Sequence, residues 1–269
     1  LERFGVTTVS VLNTFSLKGK TALVTGGAGL YGRQIVEALA EAGAKTFIAS
    51  RGIEALEAVA QKLRDRGYDV TAMHLDLSLD ASIEKVHADI IKQCGTCDIL
   101  VNNAVTRSAH DGWAHDLEAY DISLHVNASA LFKITYLFAQ NMKAQKSGSI
   151  INISSMMGIV GVEMDNYLGT DMMPDPSPIY FFEKGGMINF TRWAASVLGP
   201  ENVRVNCLSP GGYEAGQPAP FIANYSARTQ LGRMANDTDL KGAIIFLASD
   251  ASAYITGTNI PVDGGYTAK

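Results

Sequence analysis

Tyr180 and Lys184 stand four residues apart in a stretch of helical apolar spacing, so their side chains share one helix face. A cation beside a phenol lowers the phenol's pKa from its usual value of roughly 10. Such a phenol exchanges a proton with an alcohol near neutral pH. Oxidising an alcohol also requires a hydride acceptor, which a nicotinamide cofactor supplies while the protein supplies placement and the base. The turn Thr25-Gly26-Gly27-Ala28-Gly29-Leu30-Tyr31-Gly32 offers a seat for that cofactor. Small residues let the backbone approach a pyrophosphate, and the following helix presents free N–H groups and a positive dipole end. The next apolar run closes on Ala49-Ser50-Arg51. An acidic group at that strand end suits a free ribose hydroxyl, and a basic one suits a 2′-phosphate, so Ser50 and Arg51 favour NADP(H) over NAD(H). Each feature also has a plain alternative: Tyr180 as a core aromatic, the glycines as a tight turn, and Arg51 as a solvated strand end.

Alternating secondary structure must hold these residues. Thr21 to Thr25, Lys45 to Ser50, Val70 to Leu75, Ile99 to Val101, Ser149 to Ile153, Val203 to Leu208 and Asn259 to Val262 read as strands. Helical runs separate most of them, among them one ending at Gly43 and one over Ile53 to Arg66. Strands alternating with helices imply an α/β fold: a doubly wound parallel sheet of about seven strands with helices on both faces. Gly158 to Pro178 and Pro210 to Ala227 break the alternation, and both follow strand C-terminal ends, where ligands bind in such sheets.

In family order, the chain also contains Leu75-Asp76-Leu77, Asn102-Asn103-Ala104, Asn127, Gly148 to Ser155, Tyr180 to Lys184, Arg204-Val205-Asn206, Ser209-Pro210-Gly211 and Val262-Asp263-Gly264-Gly265. With the glycine turn, these resemble the short-chain dehydrogenase/reductase family from Phe15 to Ala268. The resemblance implies a single-domain Rossmann fold over 15–269 after an N-terminal extension of 1–14. It implies a catalytic tetrad. Tyr180 is the acid/base, Ser155 hydrogen-bonds the reacting oxygen, Lys184 lowers the Tyr180 pKa and holds the nicotinamide ribose, and Asn127 supports a proton-relay water. By the same analogy the cofactor contacts are Gly26, Gly29, Leu30, Tyr31, Gly32, Ser50, Arg51, Asp76, Leu77, Asn103, Ala104, Tyr180, Lys184, Pro210 and Gly211. Asn102 to Ala104 line the path to the nicotinamide. Four positions depart from the pattern. The middle glycine falls at Gly29, leaving Leu30 at its usual place, and Val105 replaces a usual glycine. Glu183 precedes Lys184 where a small residue is usual, and no Thr follows Pro210-Gly211 closely.

Between Ser155 and Tyr180 the chain carries an insertion, about 158–178, beside the active site. It holds Glu163, Asp165, Asn166, Tyr167, Thr170 and Asp171, and nearby loops add Arg107, His110, Trp113, His115, Tyr213, Glu214 and Gln217. Such polar groups suit a small hydroxyl-rich substrate, a sugar, polyol or sugar acid, better than a steroid or long acyl chain. Arg107, Met157, Tyr213 and Gln217 are the candidate substrate contacts, with Arg107 able to pair a carboxylate. Met156, Met157, Met164, Met172 and Met173 suggest adaptable packing under a lid. His110 and His115 lack a third ligand, so no metal is expected. A sugar-nucleotide epimerase or dehydratase with tightly held cofactor, and a non-enzymatic dinucleotide sensor, are the alternatives.

Composition bounds the rest. Of 269 residues, 47% are apolar and 18% charged, enough for a large core, and the net charge of −5 with no basic cluster argues against nucleic acid. No apolar run reaches the roughly 20 residues of a membrane span. Leu1 to Ser16 lacks the pattern of a secretory signal. Three cysteines, Cys94, Cys97 and Cys207, fit a reducing, cytoplasmic setting. The Cys94–Cys97 pair reads as a helix end entering a buried strand rather than as a redox or zinc motif. Family members of this size pair as homodimers or homotetramers through two long helices, and Phe181, Phe182 and Phe190 could serve there.

Overall fold

A computed structural model describes residues 10–107, 116–172 and 177–268. His110, Trp113, His115 and Met173 lie outside these residues. Seven parallel strands form one sheet in the order β3-β2-β1-β4-β5-β6-β7. They are β1 (Thr21–Thr25), β2 (Lys45–Ser50), β3 (Val70–His74), β4 (Ile99–Asn102), β5 (Gly148–Ile153), β6 (Val203–Pro210) and β7 (Asn259–Val262). All five residues of β1 are buried, as expected of a strand covered on both faces. The strand order reverses between β1 and β4. In open parallel sheets the crevice beyond that switch point receives the ligand.

The helices are α1 (Leu30–Glu41), α2 (Ile53–Arg64), α3 (Asp80–Cys94), α4 (Leu117–Leu124), α5 (Ala130–Ala144), α6 (Pro178–Leu198), α7 (Ala219–Arg228) and α8 (Lys241–Ala248). One apolar core joins α1, α2 and α8 to one sheet face through Ile35, Leu39, Leu56 and Ile244. A second joins α3, α5 and α6 to the other face through Ile83, Ile90, Phe138 and Ala194. A smaller third cluster (Met156, Phe221, Tyr225 and Met234) lies apart from both. The fold is one α/β domain, as the strand–helix alternation implies.

Two elements differ from the sequence reading. The Gly/Pro-rich segment 210–227 contains α7, because its prolines sit at and just inside the helix start, where no N–H partner is needed. Between α4 and α5 the helix widens into a π turn, His125–Ser129, which carries Asn127. Cys94 ends α3, Gly95 caps it at φ 75°, and Cys97 is fully buried ahead of β4. All three cysteines are free, and burial pushes the Cys97 thiol up to about 12. A reactive dithiol is not what this geometry builds.

Candidate active site

The glycine turn is fixed by backbone contact. Gly26 has φ +70°, and a Cβ there would lie 2.9 Å from Ala104 Cα. A Cβ on Gly32 would lie 2.2 Å from the Gly26 carbonyl oxygen. Gly29 is the N-cap of α1 and offers no side-chain cap, so the first amides of a 12-residue helix point free into the crevice. A cradle that only glycine can line, ending in unpaired amides, fits a pyrophosphate. Leu30 occupies the first helical position with its side chain half exposed, which explains why the usual glycine is dispensable there.

Neighbouring strands brace this turn. The Asn103 amide donates to the Thr25 and Gly26 carbonyls, both at 3.0 Å. The backbone N–H groups of Asn103 and Ala104 both donate to the Thr25 hydroxyl at 3.0 Å. Asn102 is different: it is buried and donates to Thr135 (3.1 Å) and Asn152 (2.9 Å). It ties the sheet to α5 and does not line the cofactor path. Tyr31 reaches across the crevice and donates to the Gly211 carbonyl at 2.8 Å, with its ring edge-on to Tyr213 at 5.5 Å. Burial pushes the Tyr31 phenol up, so this hydroxyl stays protonated. At the far end, Ser50 pairs in register with His74, and exposed Arg51 adds a second basic group. One Asp76 oxygen accepts from the Ser78 hydroxyl and amide, and these bonds, ahead of the Arg51 charge, hold its carboxyl below the usual range. Leu77 packs on the core beside it.

Tyr180 and Lys184 lie on one face of α6, with the Lys184 ammonium 5.7 Å from the Tyr180 ring centre. The Arg107 guanidinium also lies over that ring, 5.2 Å from its centre. Burial alone would raise the phenol. The charges of Lys184 and Arg107, with hydrogen bonds from Ser155 and Arg107, outweigh it and bring Tyr180 below its ordinary value. Ser155 follows β5, and its hydroxyl also caps the next turn by accepting from the Met157 amide at 3.1 Å. Lys184 is buried and donates to the Ile153 carbonyl at 2.8 Å, which fixes it against β5. Ser154 in turn donates to the Lys184 carbonyl at 2.7 Å.

The Asn127 side chain is fully committed. Its oxygen accepts from the Thr106 amide (2.9 Å), and its nitrogen donates to the Thr106 carbonyl (2.9 Å) and to Glu183 (2.7 Å). Any water relay at this residue therefore falls to its backbone. Glu183 is buried rather than turned to solvent, and it also accepts from Ser123 at 2.7 Å. Burial pushes its carboxyl above the usual range, against those hydrogen bonds and the Lys184 charge.

Of the four substrate candidates, Arg107 meets the acid/base and Met157 adjoins Ser155. The Tyr213 hydroxyl donates to Asp237. Both ends of the Gln217 amide are taken up by its own loop, at Ala215 and Tyr213. The polar insertion residues are likewise turned to internal use. Arg228 on α7 pairs with Glu163 (3.0 Å) and Asp165 (3.1 Å). Asn166 is buried and donates to the Tyr266 hydroxyl at 2.7 Å, and Tyr167 packs on Phe221. Met156, Met157 and Met172 fill the apolar cluster beneath, while Met164 is exposed. Residues 156–172, α7 and the C-terminal turn thus form one cap beside Ser155.

Comparisons with known proteins bear on the family and the fold. The family pattern described as enoyl-(acyl carrier protein) reductase matches residues 29–267. An oxidoreductase of Escherichia coli strain K12 is 34% identical over 96% of each chain. A 3-oxoacyl-[acyl-carrier-protein] reductase of Aquifex aeolicus strain VF5 is 34% identical over 93% of this chain and 98% of its own. Among solved structures, a gluconate 5-dehydrogenase of Burkholderia cenocepacia J2315, in complex with NADP and tartrate, superposes with a TM-score of 0.86. It is 29% identical and covers 96% of this chain and 99% of its own. A short-chain type dehydrogenase/reductase of Mycobacterium marinum gives 0.86 at 30% identity, covering 97% of this chain and 100% of its own.

Proposed function

The chain belongs to the short-chain dehydrogenase/reductase family and is an NAD(P)-dependent oxidoreductase, and on that premise we propose that its substrate is a small hydroxy acid of the sugar-acid type and its preferred cofactor NADP(H). The observation that carries this reading is Arg107. Arg107 is exposed, and its guanidinium lies over the Tyr180 ring in direct reach of the acid/base hydroxyl. A planar, permanently charged fork there pairs with a carboxylate and sets the neighbouring carbinol against the phenol. The gluconate 5-dehydrogenase neighbour, solved with NADP and tartrate, supports the same substrate class. Arg51 and His74 at the ends of β2 and β3 support the 2′-phosphate.

The pyrophosphate would rest on the free amides of α1, the adenine between Arg51 and Asp76–Leu77, and the ribose against Tyr180 and Lys184. When bound, the nicotinamide supplies the hydride acceptor or donor. Tyr180 takes the alcohol proton on oxidation and returns it on reduction. Ser155 holds the reacting oxygen beside it, and Lys184, fixed on the Ile153 carbonyl, keeps a positive charge against the phenol. The aromatic strip of Phe132, Tyr136, Phe182 and Trp193, exposed on α5 and α6, supports pairing of those helices in a homodimer or homotetramer. Three free thiols fit a cytoplasmic setting.

The test is reduction of NADP⁺ and NAD⁺, followed by absorbance, across matched sugar acids, sugars and polyols. Sugar acids with NADP⁺ are expected to turn over fastest. Tyr180→Phe should remove at least about 100-fold of that rate while the protein still binds cofactor. Faster turnover of the uncharged polyols would sink the hydroxy-acid reading.

A further inference from the structure

Glu183 is only 6% exposed, and its carboxylate is answered by two donors. Oε1 accepts from the Ser123 hydroxyl and Oε2 from the Asn127 amide, both at 2.7 Å. Ser123 lies on α4 and Asn127 in the π turn that follows it. Asn127 then grips the backbone of Thr106 at two points, through its N–H and its carbonyl, each at 2.9 Å. The next residue is Arg107, whose guanidinium lies over the Tyr180 ring. The contacts run from Glu183 through Asn127 and Thr106 to Arg107. They close on Tyr180, three positions before Glu183 on the same helix.

A carboxylate suits the start of that chain for a chemical reason. It only accepts, so it fixes which end of the Asn127 amide faces α6. The same orientation suits Thr106, whose N–H meets the amide oxygen and whose carbonyl meets the amide nitrogen. A small neutral residue at position 183 would leave the amide held by Thr106 and by a longer bond to Ser123 (3.2 Å), with no anchor on α6. Burying a carboxylate is costly unless donors and charge compensate it, so a role in packing alone does not account for it. We propose that Glu183 is a positioning residue: through Asn127 and the Thr106 backbone it holds Arg107 against Tyr180.

The groups placed against the Tyr180 hydroxyl are Lys184, Arg107, Ser155 and, from α1, Tyr31. Those placed against Glu183 are Ser123, Asn127 and Lys184. The strap and the bare charge of Glu183 therefore predict opposite signs. Losing the strap loosens Arg107 and makes the phenol less acidic. Losing only a nearby anion makes it more acidic.

The experiment is an ultraviolet titration of phenolate in the whole protein, with the matching Tyr180→Phe protein subtracted in each background to isolate Tyr180. It reads the phenol without substrate, so it stands or falls separately from the hydroxy-acid proposal. Glu183→Leu is expected to raise the Tyr180 midpoint, leaving about threefold less phenolate at a fixed pH below it. Glu183→Gln, whose carbonyl still accepts from Asn127, should titrate at or below the parent protein. In an Arg107→Ala background the rise should vanish, because the strap then has nothing to hold, leaving the midpoint unchanged or lowered by loss of the anion. If Glu183→Leu does not fold, Asn127→Ala cuts the strap one link later and should give the same rise and the same silence. An unchanged or lowered midpoint on cutting the strap, or a rise that survives in Arg107→Ala, overturns the proposal.

Discussion

The phosphate turn between β1 and α1 and the cap of residues 156–172, α7 and the C-terminus border the same cleft but are held by different means. The turn is set by backbone against backbone. Gly32 has no room for one extra carbon, and the Asn103 amide and Thr25 hydroxyl lock the turn onto β4. The cap is set by side chains meeting side chains: Arg228 with Glu163 and Asp165, Asn166 with Tyr266, and methionines packed on Phe221 and Tyr225. A backbone cradle tolerates almost no change and serves a ligand common to a whole family. A side-chain cap can be exchanged piece by piece, which suits the part of the molecule that must recognise one substrate. Tyr180 takes its contacts from neither region but from Lys184 on its own helix, Ser155 after β5 and Arg107 after β4.

The sharpest break of this comparison comes from adding one methyl group to each region. A Cβ on Gly32 meets the Gly26 carbonyl oxygen at 2.2 Å, a clash between backbone atoms that no rotamer relieves. Gly32→Ala should therefore weaken NADPH binding by about 100-fold, because the turn must deform where the pyrophosphate sits. Gly161, in the cap segment, has nothing within 4 Å of its Cβ direction and no positive φ, so Gly161→Ala should leave both cofactor and substrate constants unchanged. Titrating NADPH into both variants by fluorescence checks the contrast. Equal losses would show that the cap is as tightly specified as the cradle.

Within the cradle, the charged side chains at the adenine end, Arg51 and His74, are exposed, so their energetics should resemble those of the cap. Arg51 is exposed, and Ser50 and His74 flank it in register. Solvent screens such a charge, so Arg51→Ala should weaken NADPH by about tenfold rather than by the larger factor of a buried ion pair. NADH binding should stay within about twofold. Competition between the two cofactors, measured at one ionic strength, separates these outcomes. An equal loss for both would remove Arg51 from the 2′-phosphate site.

The same division explains what could be read from the sequence. Gly26, Gly29 and Gly32 were legible because backbone geometry dictates residue type locally. Tyr180 and Lys184 were legible because one helical turn brings them together. The seven strands followed from apolar period and turn residues, and each lies where that pattern puts it to within two residues at its ends. The polar insertion residues were legible as polar but not as partners. Asp165 meets Arg228 across 63 positions and Asn166 meets Tyr266 across 100, so nothing nearby distinguishes a clamp from a substrate contact. Glu183 stood out as a charge in an unexpected place, yet its donors Ser123 and Asn127 lie 60 and 56 positions back. Tyr31 looked like a cofactor contact, and its reach to Gly211, 180 positions on, needed the folded sheet. Long-range pairings of polar side chains carry no local periodicity, so local patterns could not foretell them.

The mildest perturbation tests whether the two regions act independently. Arg228 joins α7 to the insertion through carboxylates 40% and 66% exposed, with the arginine itself 32% exposed. Exposed pairs of this kind contribute about 0–1 kcal/mol each and weaken as salt rises. The remaining links, Asn166 with Tyr266 and Tyr167 with Phe221, keep the cap in place when Arg228 is removed. Arg228→Ala should therefore raise the KM for substrate by about twofold to threefold, with kcat and NADPH affinity unchanged. In high salt the parent protein should approach the variant, because screening does to the ion pairs what the substitution does. Measuring KM at low and high ionic strength for both proteins tests each part of this. A change in NADPH affinity that follows KM would mean that the cap and the cradle are mechanically coupled, most directly through the Tyr31–Gly211 bond, since Gly211 begins the loop that leads into α7.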